Sequence, residues 1–218
     1  MTGAPDALRR VSVVDELTGV LRDRILDGDL TPGTPLRETD IARVYAVSRH
    51  TLRAALRELA VEGLVRIEPN RGASVARLDA ADIQGLYELR AALELEAAHL
   101  ALERHDGRLP HAVVAAVANL TATCRNDGQS WYAVAAAHAT VHGSIVASAG
   151  SRRIEASYAA LARELQLFLV QLHPVWSLDR MVTHHEALIV ELEQEGPPAL
   201  RRHLQDGADA VLGAARRP

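Results

Sequence analysis

Strand-forming segments are confined to the first third of this 218-residue chain, and this restriction limits its architecture more than any other feature. Two short β-prone runs flank residues 69–72, and beyond Leu78 the apolar residues recur only with helical spacing. Such a pattern cannot build a parallel or extended sheet. We therefore predict a mainly α protein with a domain boundary at residues 77–79.

Residues 10–77 combine three helical segments with a hairpin. Apolar residues recur at helical spacing over 11–26 and 36–46, and Ser48 is a residue type that caps the next helix, which Gly63 ends. Short β-prone runs then flank a Pro-Asn-Arg-Gly turn. Three helices followed by a hairpin form the winged helix-turn-helix arrangement, in which one helix enters the major groove of DNA.

Residues 79–218 are predicted to form an all-α bundle of six helices. Asp79 can cap the first of them, which runs to about residue 104. Its apolar face comprises Ile83, Leu86, Leu89, Leu93 and Ala97. The later helices are expected at about residues 110–126, 130–149, 151–172, 178–195 and 198–215. Helices with short connections between them are typical of bundles.

Charge divides the chain at the same boundary. Residues 43–77 carry seven arginines against three acidic residues, although the net charge of the whole chain is −4. A basic segment before an acidic remainder indicates a nucleic-acid module joined to a second domain. The single cysteine, Cys124, excludes an internal disulfide framework. We find neither a membrane-length apolar run nor a signal peptide, and we expect a cytoplasmic protein.

The third predicted helix begins with residues that can recognise DNA. Arg49 and His50 stand at its start, and Arg53 follows one turn later on the same face. Arginine can form paired hydrogen bonds to guanine there, and the helix start also attracts phosphate. Arg71 and Gly72 would form a wing tip that meets phosphate or a minor groove. The alternative is a solvated basic helix face.

Residues 25–75 resemble the winged-helix domain of the GntR family of bacterial transcriptional regulators. The resemblance is carried in order by Gly28, Pro32-Gly33, Leu36, Ile41-Ala42, Val47-Ser48-Arg49, Leu52-Arg53, Glu62-Gly63-Leu64-Val65 and Arg71-Gly72. It implies DNA contacts at Ser48, Arg49, His50, Arg53, Arg71 and Gly72.

The chain departs from the family pattern at three positions. Thr51 and Ala54 stand where the family often has proline and glutamate. Thr39 replaces an arginine that some members place in the second helix. Neither of the first two replacements removes a group that faces DNA, whereas the third puts one contact of the second helix in doubt.

Residues 79–218 resemble the FCD-type effector domain of the FadR-like branch of the same family. The similarity rests on LYELRAALELEAAHLA (86–101), HATVHGSIVASAGSRRI (138–154) and HHEALIVEL (184–192). It implies a domain that binds a small-molecule effector and holds the protein as a homodimer. Two winged helices related by a two-fold axis would bind a palindromic operator.

The same branch commonly carries a metal site of one aspartate and three histidines. The resemblance implies ligands at His138, His142, His185 and His203, with His138 in place of the aspartate. His138 and His142 are spaced i, i+4, so both imidazoles can reach one ion. An imidazole-rich set suits Zn²⁺, Ni²⁺ or Cu²⁺, and iron or manganese if oxygen ligands join; we expect Zn or Ni. Polar histidines in a bundle cavity are the alternative.

The spacing of the last two histidines sets a limit on this site. His185 and His203 are 18 residues apart, about one turn less than the family usually shows. With a turn at residues 196–198, the two side chains would be offset by roughly 9 Å along the helix axes. His203 is therefore the weakest member of the predicted ligand set.

Arg90 lies in an otherwise apolar helical segment and needs an anion. That anion is either the carboxylate of an effector or a structural partner such as a glutamate. With a metal nearby, an effector contact at Arg90 favours a small organic acid. His184 is expected on a helix surface.

Three functions are compatible with these features. The first is a repressor released by a small organic acid, and the second is a metal-sensing regulator in which the ion itself is the signal. A metal-dependent enzyme is disfavoured, because residues 185–189 begin like the HExxH motif but Ile189 takes the place of the second histidine. Nor do we find a carboxylate pair or Ser/His arrangement with catalytic spacing.

Overall fold

The computed structural model describes residues 12–126, 130–173 and 175–215. The outermost residues of the two predicted domains, 10–11 and 216–218, lie outside the described residues. The first domain contains the elements α1 (Val13–Leu26), β1 (Pro35–Leu36), α2 (Glu38–Val44), α3 (Arg49–Val61), β2 (Val65–Glu68) and β3 (Gly72–Val75). The second contains α4 (Ala80–Arg104), α5 (His111–Arg125), α6 (Trp131–Ser148), α7 (Arg152–Ala159), α8 (Ala162–Leu172), α9 (Leu178–Glu195) and α10 (Pro197–Ala215). The predicted fold class, a winged helix-turn-helix followed by an all-α domain, is confirmed.

Helix α3 begins and ends where its sequence signals indicate. The Ser48 hydroxyl accepts a hydrogen bond of 3.0 Å from the Thr51 amide, a cap that contributes about 1 kcal/mol. Four apolar side chains on one face are buried: Leu52, Ala55, Leu56 and Leu59. After the helix, Gly63 adopts a φ of 78°, which favours glycine. Because its apolar face packs into the core, the opposite face of α3 is exposed to solvent.

The wing is a three-stranded antiparallel sheet, one strand more than the sequence indicates. Strands β2 and β3 form the predicted hairpin, with Glu68 opposite Gly72, and β1 pairs with the other edge of β3. The prediction of a helix starting at Leu36 was wrong, because Leu36 is the buried residue of β1 and α2 starts at Glu38. A two-residue strand is too short to show an alternating pattern.

The helical domain has seven helices in its described part, because the predicted helix 151–172 is divided. Helix α7 ends at Ala159 and α8 begins at Ala162, with a turn in which the Leu161 amide donates to the Tyr158 carbonyl. Glycine and proline are absent from this turn, so the sequence carries no signal for it.

Helix α4 buries Ile83, Leu86 and Ala97 of its predicted apolar face, but the rest of its buried face differs from the prediction. Leu89 is 46% exposed, whereas Arg90 and Glu94 are buried together with Ile83 and Leu86. Helix α4 packs between α6 and α10, and this position brings two charged residues to its core-facing side. Their burial requires partners, which the second domain supplies.

The two domains share one apolar core and are joined by specific polar contacts. The Gln171 side chain of α8 accepts a hydrogen bond of 2.7 Å from the Leu78 amide and donates one of 3.2 Å to the Leu78 carbonyl. The Asp27 carboxylate, after α1, accepts a hydrogen bond from the Tyr132 amide of α6. A displacement in the helical domain therefore has a direct route to the winged helix.

Across the described part of the chain, the helices all fall short of the length and apolar character that a membrane span requires.

Candidate functional site

The predicted DNA-contacting residues lie together on an exposed surface. Arg49 and His50 occupy the first turn of α3 and are exposed, and Arg53 follows one turn later. The Arg53 side chain is 58% exposed, and its Nε donates to both oxygens of Glu38, at 3.0 and 2.9 Å. Because Glu38 belongs to α2, the second helix of the motif orients a side chain of the third.

The wing tip presents one exposed arginine and one glycine. Arg71 is 83% exposed and pairs only loosely with Glu68, at 3.5 Å. Gly72 has a φ of 86°, so a side chain there would strain the turn. Thr39, where some relatives have an arginine, is exposed on α2. These placements agree with a DNA-binding surface, although the individual contacts stay predictions.

The four predicted metal ligands meet inside the helical domain. His138 and His142 come from α6, His185 from α9 and His203 from α10, and all four are buried. The His138 ring centroid lies 4.7 Å from those of both His142 and His185. The His203 ring centroid lies 4.6 Å from that of His185 and 5.3 Å from that of His142.

The expected 9 Å offset of His203 was wrong. The turn is Gly196 alone, so His185 stands 11 residues before it and His203 seven after it. This leaves an axial offset of about 6 Å, which the reach of two imidazole side chains spans.

Two of these imidazoles have one nitrogen held and the other unpartnered. Nδ1 of His142 donates to Glu94 Oε2 at 2.8 Å, and Nδ1 of His185 donates to the Met181 carbonyl at 2.7 Å. Both Nε2 atoms are buried and have no hydrogen-bond partner in the described part of the chain. Metal-binding histidines typically show this arrangement, because the bond at one nitrogen directs the lone pair of the other toward the ion. The donor set fits a divalent transition metal.

The charge state of the cluster also suits a cation. Burial lowers the pKa of all four histidines, and for His138 the neighbouring imidazoles of His142 and His185 lower it further. The pKa of His185 falls to about 3. Neutral imidazoles carry the free lone pairs that a metal requires.

Glu94 is a residue of this site that the sequence reasoning missed. Burial raises the pKa of its carboxyl, but the charge of Arg90 and the contact with His142 outweigh this and bring it to about 2. The carboxylate therefore stays ionised and holds His142 in one orientation. The i, i+4 spacing of Arg90 and Glu94 was the available signal.

Arg90 has a structural partner in this network. Its Nε donates to Glu94 Oε1 at 2.7 Å, and burial together with the charge of Glu94 raises the pKa of the nearby Tyr158 hydroxyl. The void beside Arg90 measures about 10 Å³, enough for at most one water molecule. Of the two anions considered for Arg90, the structure shows the glutamate, and a contact with an effector stays a prediction.

His184 is not simply a surface residue. Its ring stacks on His203 at 4.1 Å between centroids, and its Nε2 donates to Asp206 at 3.2 Å. Its Nδ1 is buried and without a partner in the described chain.

The histidines form two overlapping sets. Ligand atoms of His138, His142 and His185 lie within 4.8 Å of one another, and so do those of His184, His185 and His203. A cleft of about 420 Å³ between α9 and α10 opens onto His184 and His203.

A winged helix with an exposed basic surface, joined to a helical domain with a buried polar site, defines a class of DNA-binding regulator. The family models agree with this class: that of "Bacterial regulatory proteins, gntR family" matches residues 14–75, and that of the FCD domain matches residues 85–207. The chain belongs to the GntR family of transcriptional regulators, in the group with an FCD domain, and these regulators are not enzymes.

Several relatives support this assignment. A regulator in the TAR-I ttuE-ttuC' intergenic region of Agrobacterium vitis is 34% identical over 151 residues, which cover 67% of this chain and 86% of that protein. The "Probable D-xylose utilization operon transcriptional repressor" of Paenarthrobacter nicotinovorans is 28% identical over 93% of this chain and 88% of its own length. The match to Bacillus subtilis YdhC spans only 38% of that protein, at 34% identity over 39% of this chain.

The solved structures agree with the fold. A GntR transcriptional regulator from Rhodococcus sp. RHA1 superimposes with a TM-score of 0.68 at 27% identity, covering 93% of this chain and 99% of that one.

Proposed function

We propose that this regulator is a homodimeric repressor that binds a palindromic operator and releases it when a small organic acid binds beside a metal ion in the helical domain. The observation that carries the proposal is the set of four buried imidazoles, two of which have an Nε2 atom without a partner. His138, His142 and His185 would hold the ion, with His203 beside them, and Zn²⁺ or Ni²⁺ suits such ligands. When bound, the ion supplies a positive charge and open coordination positions for a carboxylate.

The cleft between α9 and α10 supports this choice of effector. Its volume of about 420 Å³ lies within the range of small-molecule sites. Arg201 and Arg202 line it together with His203, and Arg202 is already paired with Glu195 at 2.7 Å. A short carboxylic acid entering here would meet arginine charge and a metal ligand.

The signal would reach DNA through the domain contacts. An effector bound in the helical domain does not contact DNA. It can therefore act only by favouring one arrangement of the two winged helices of the dimer. A tenfold preference corresponds to about 1.4 kcal/mol. The hydrogen bonds of Gln171 to Leu78 and of Asp27 to the Tyr132 amide join the two domains where such a preference would be expressed.

The test uses an operator selected by the protein itself from random DNA, with binding followed by fluorescence anisotropy. Metal-loaded protein should release this operator on addition of one member of a panel of short mono- and dicarboxylic acids, whereas chelator-treated protein should not respond. His142→Ala should lose the metal and the response and keep basal operator binding within about threefold. Stoichiometric metal in His142→Ala, or equal response of apo and loaded protein, would overturn the proposal.

The metal-sensing alternative is separated by the same titration without acid. The histidine cluster itself favours it as the second candidate, since a cation is the ligand that neutral imidazoles select. If chelation alone releases the operator, and no acid changes the affinity of the loaded protein, then the ion is the signal.

A further inference from the structure

We infer that His184, His185 and His203 form an outer metal position at the mouth of the cleft, through which the ion passes to and from an inner position formed by His138, His142 and His185. This inference rests on the proposed function, because it assumes that the inner histidines hold the ion. It gives a role to His184, which the inner site does not use.

The outer set has the same construction as the inner one. In the inner set, Glu94 accepts a hydrogen bond from His142 and leaves Nε2 unpartnered. In the outer set, Asp206 accepts one from Nε2 of His184 and leaves Nδ1 unpartnered and buried. Each set thus has a histidine that a carboxylate orients and whose other nitrogen has no partner among the described residues. Ligand atoms within 4.8 Å of one another can close on an ion with small side-chain rotations.

The two positions cannot be filled at the same time. Both sets use His185, whose Nδ1 is committed as a donor to the Met181 carbonyl. Only Nε2 of His185 then has a lone pair, and one lone pair binds one ion. The chain should therefore hold one ion in either position, and an ion that moves between them can stay bound to Nε2 of His185 while it exchanges its other ligands.

Solvent reaches the outer set first. The cleft is lined by His184 and His203, and the side chain of His184 is 18% exposed. His185 and His142 are 0% and 1% exposed and lie behind them. The Asp206 carboxylate stands beside His184 at this mouth, whereas Glu191 is paired with Arg202.

A stepwise passage has a physical reason. A hydrated divalent ion loses much of its solvation if it enters a buried site directly. Ligands at the mouth replace its water molecules one at a time, so that the ion is never bare on the way to the inner set. Removal of the outer nitrogen should consequently slow binding and release together and leave the equilibrium affinity almost unchanged.

The experiment compares His184→Phe with the wild-type full-length protein and with His142→Ala. Phenylalanine keeps the ring stacked on His203 and removes the nitrogen. His173→Phe is the matched control, because His173 also stacks on a neighbouring ring, that of Trp131, outside the cluster. Zn²⁺ is loaded in stopped flow and withdrawn with a chromogenic chelator, and its stoichiometry and affinity are measured by competition. Asp206→Asn is the milder second variant, and circular dichroism verifies folding.

We expect one Zn²⁺ per chain in the wild type and in His184→Phe, with affinities within about threefold of each other. Loading and release should both be at least tenfold slower in His184→Phe, slowed in the same direction in Asp206→Asn, and unchanged in His173→Phe. Unchanged rates in His184→Phe would overturn the passage. An affinity loss as large as that of His142→Ala would make His184 a ligand of the resident ion and also overturn it. Two ions per chain would contradict the inference that the inner and outer positions cannot be filled at the same time.

The failure of the proposed metal site has a different signature. If the wild type binds no Zn²⁺, or if His142→Ala binds it as tightly as the wild type, the inner position itself is refuted. If the inner site binds Zn²⁺ as expected and His184→Phe exchanges the ion at the wild-type rate, only the outer position is refuted.

Discussion

The recognition surface of the winged helix and the histidine cluster of the helical domain differ in their access to water. Arg49, His50 and Arg71 project from a capped helix and a turn into solvent, and their positions depend on residues close to them in sequence. The histidines are buried and come from three helices, and His142 is oriented by Glu94, which lies far away in sequence. A surface built locally tolerates changes elsewhere in the chain, whereas a site built from distant helices depends on the whole domain.

The largest expected effect of this difference is on stability at low pH. Burial lowers the pKa of four cluster histidines in the folded state, while an unfolded chain protonates histidine near pH 6.5. The four histidines therefore leave the free energy of unfolding undiminished above about pH 6.5, and they lower it as the pH falls below that value. When the pH falls from 7 to 5, each histidine that stays neutral in the folded state lowers the free energy of unfolding by at most about 2 kcal/mol.

The measurement is thermal unfolding of chelator-treated protein across that range. His203→Phe should flatten the dependence on pH, whereas Arg49→Ala at the exposed start of α3 should leave it as steep as before. Equal slopes for the two variants would mean that burial of the cluster does not distinguish it from the DNA surface.

Glu94→Gln should lower the affinity for metal by about 10- to 100-fold, because the carboxylate that directs His142 is replaced by a neutral group. It also leaves Arg90 without its charged partner, so the variant should be less stable as well. Operator binding by the apo protein should stay within about threefold of the wild type. Calorimetry with Zn²⁺ measures the metal affinity. Operator anisotropy on the same preparation verifies that the variant still binds DNA. Full metal affinity would contradict this role of Glu94.

Arg49→Ala should weaken operator binding by about 1–3 kcal/mol and reduce base preference at one position of each half-site. The change leaves the helical domain untouched, so metal affinity should be unaltered. Anisotropy against the selected operator and its single-base variants provides the measurement. Normal operator binding by this variant would show that the start of α3 does not read the DNA.

Arg71→Ala should have the smallest effect, a weakening that is uniform across DNA sequences. An exposed arginine at the wing that meets phosphate adds affinity without selecting bases. The dependence of affinity on salt should become shallower by about one phosphate contact. A loss confined to particular sequences would instead place Arg71 in a groove.

Most of the winged helix could be predicted from its sequence, and the histidine cluster only in part. The cap at Ser48, the end of α3 before Gly63 and the hairpin around Asn70 depend on interactions between residues a few positions apart. The i, i+4 pair His138 and His142 was accessible for the same reason.

Two of the errors fall where distant segments meet. Strand β1 exists because it pairs with β3, across more than 30 residues. The axial position of His203 depends on how α10 packs after Gly196, and its ring lies near His185 despite the short interval.

The amino-acid pattern was sufficient for the winged helix, the helical domain after it and the exposed basic start of α3, because helix caps, turns and periodic apolar faces act over a few residues. Packing was needed to show that the i, i+4 pair Arg90 and Glu94 is buried, that Glu94 orients His142, and that His184 joins His185 and His203. These contacts join α4, α6, α9 and α10, and their partners are close only after the helices pack. A buried imidazole such as that of His142 takes the partner that the assembled core places beside it, and the spacing along its own helix does not specify a partner on another helix.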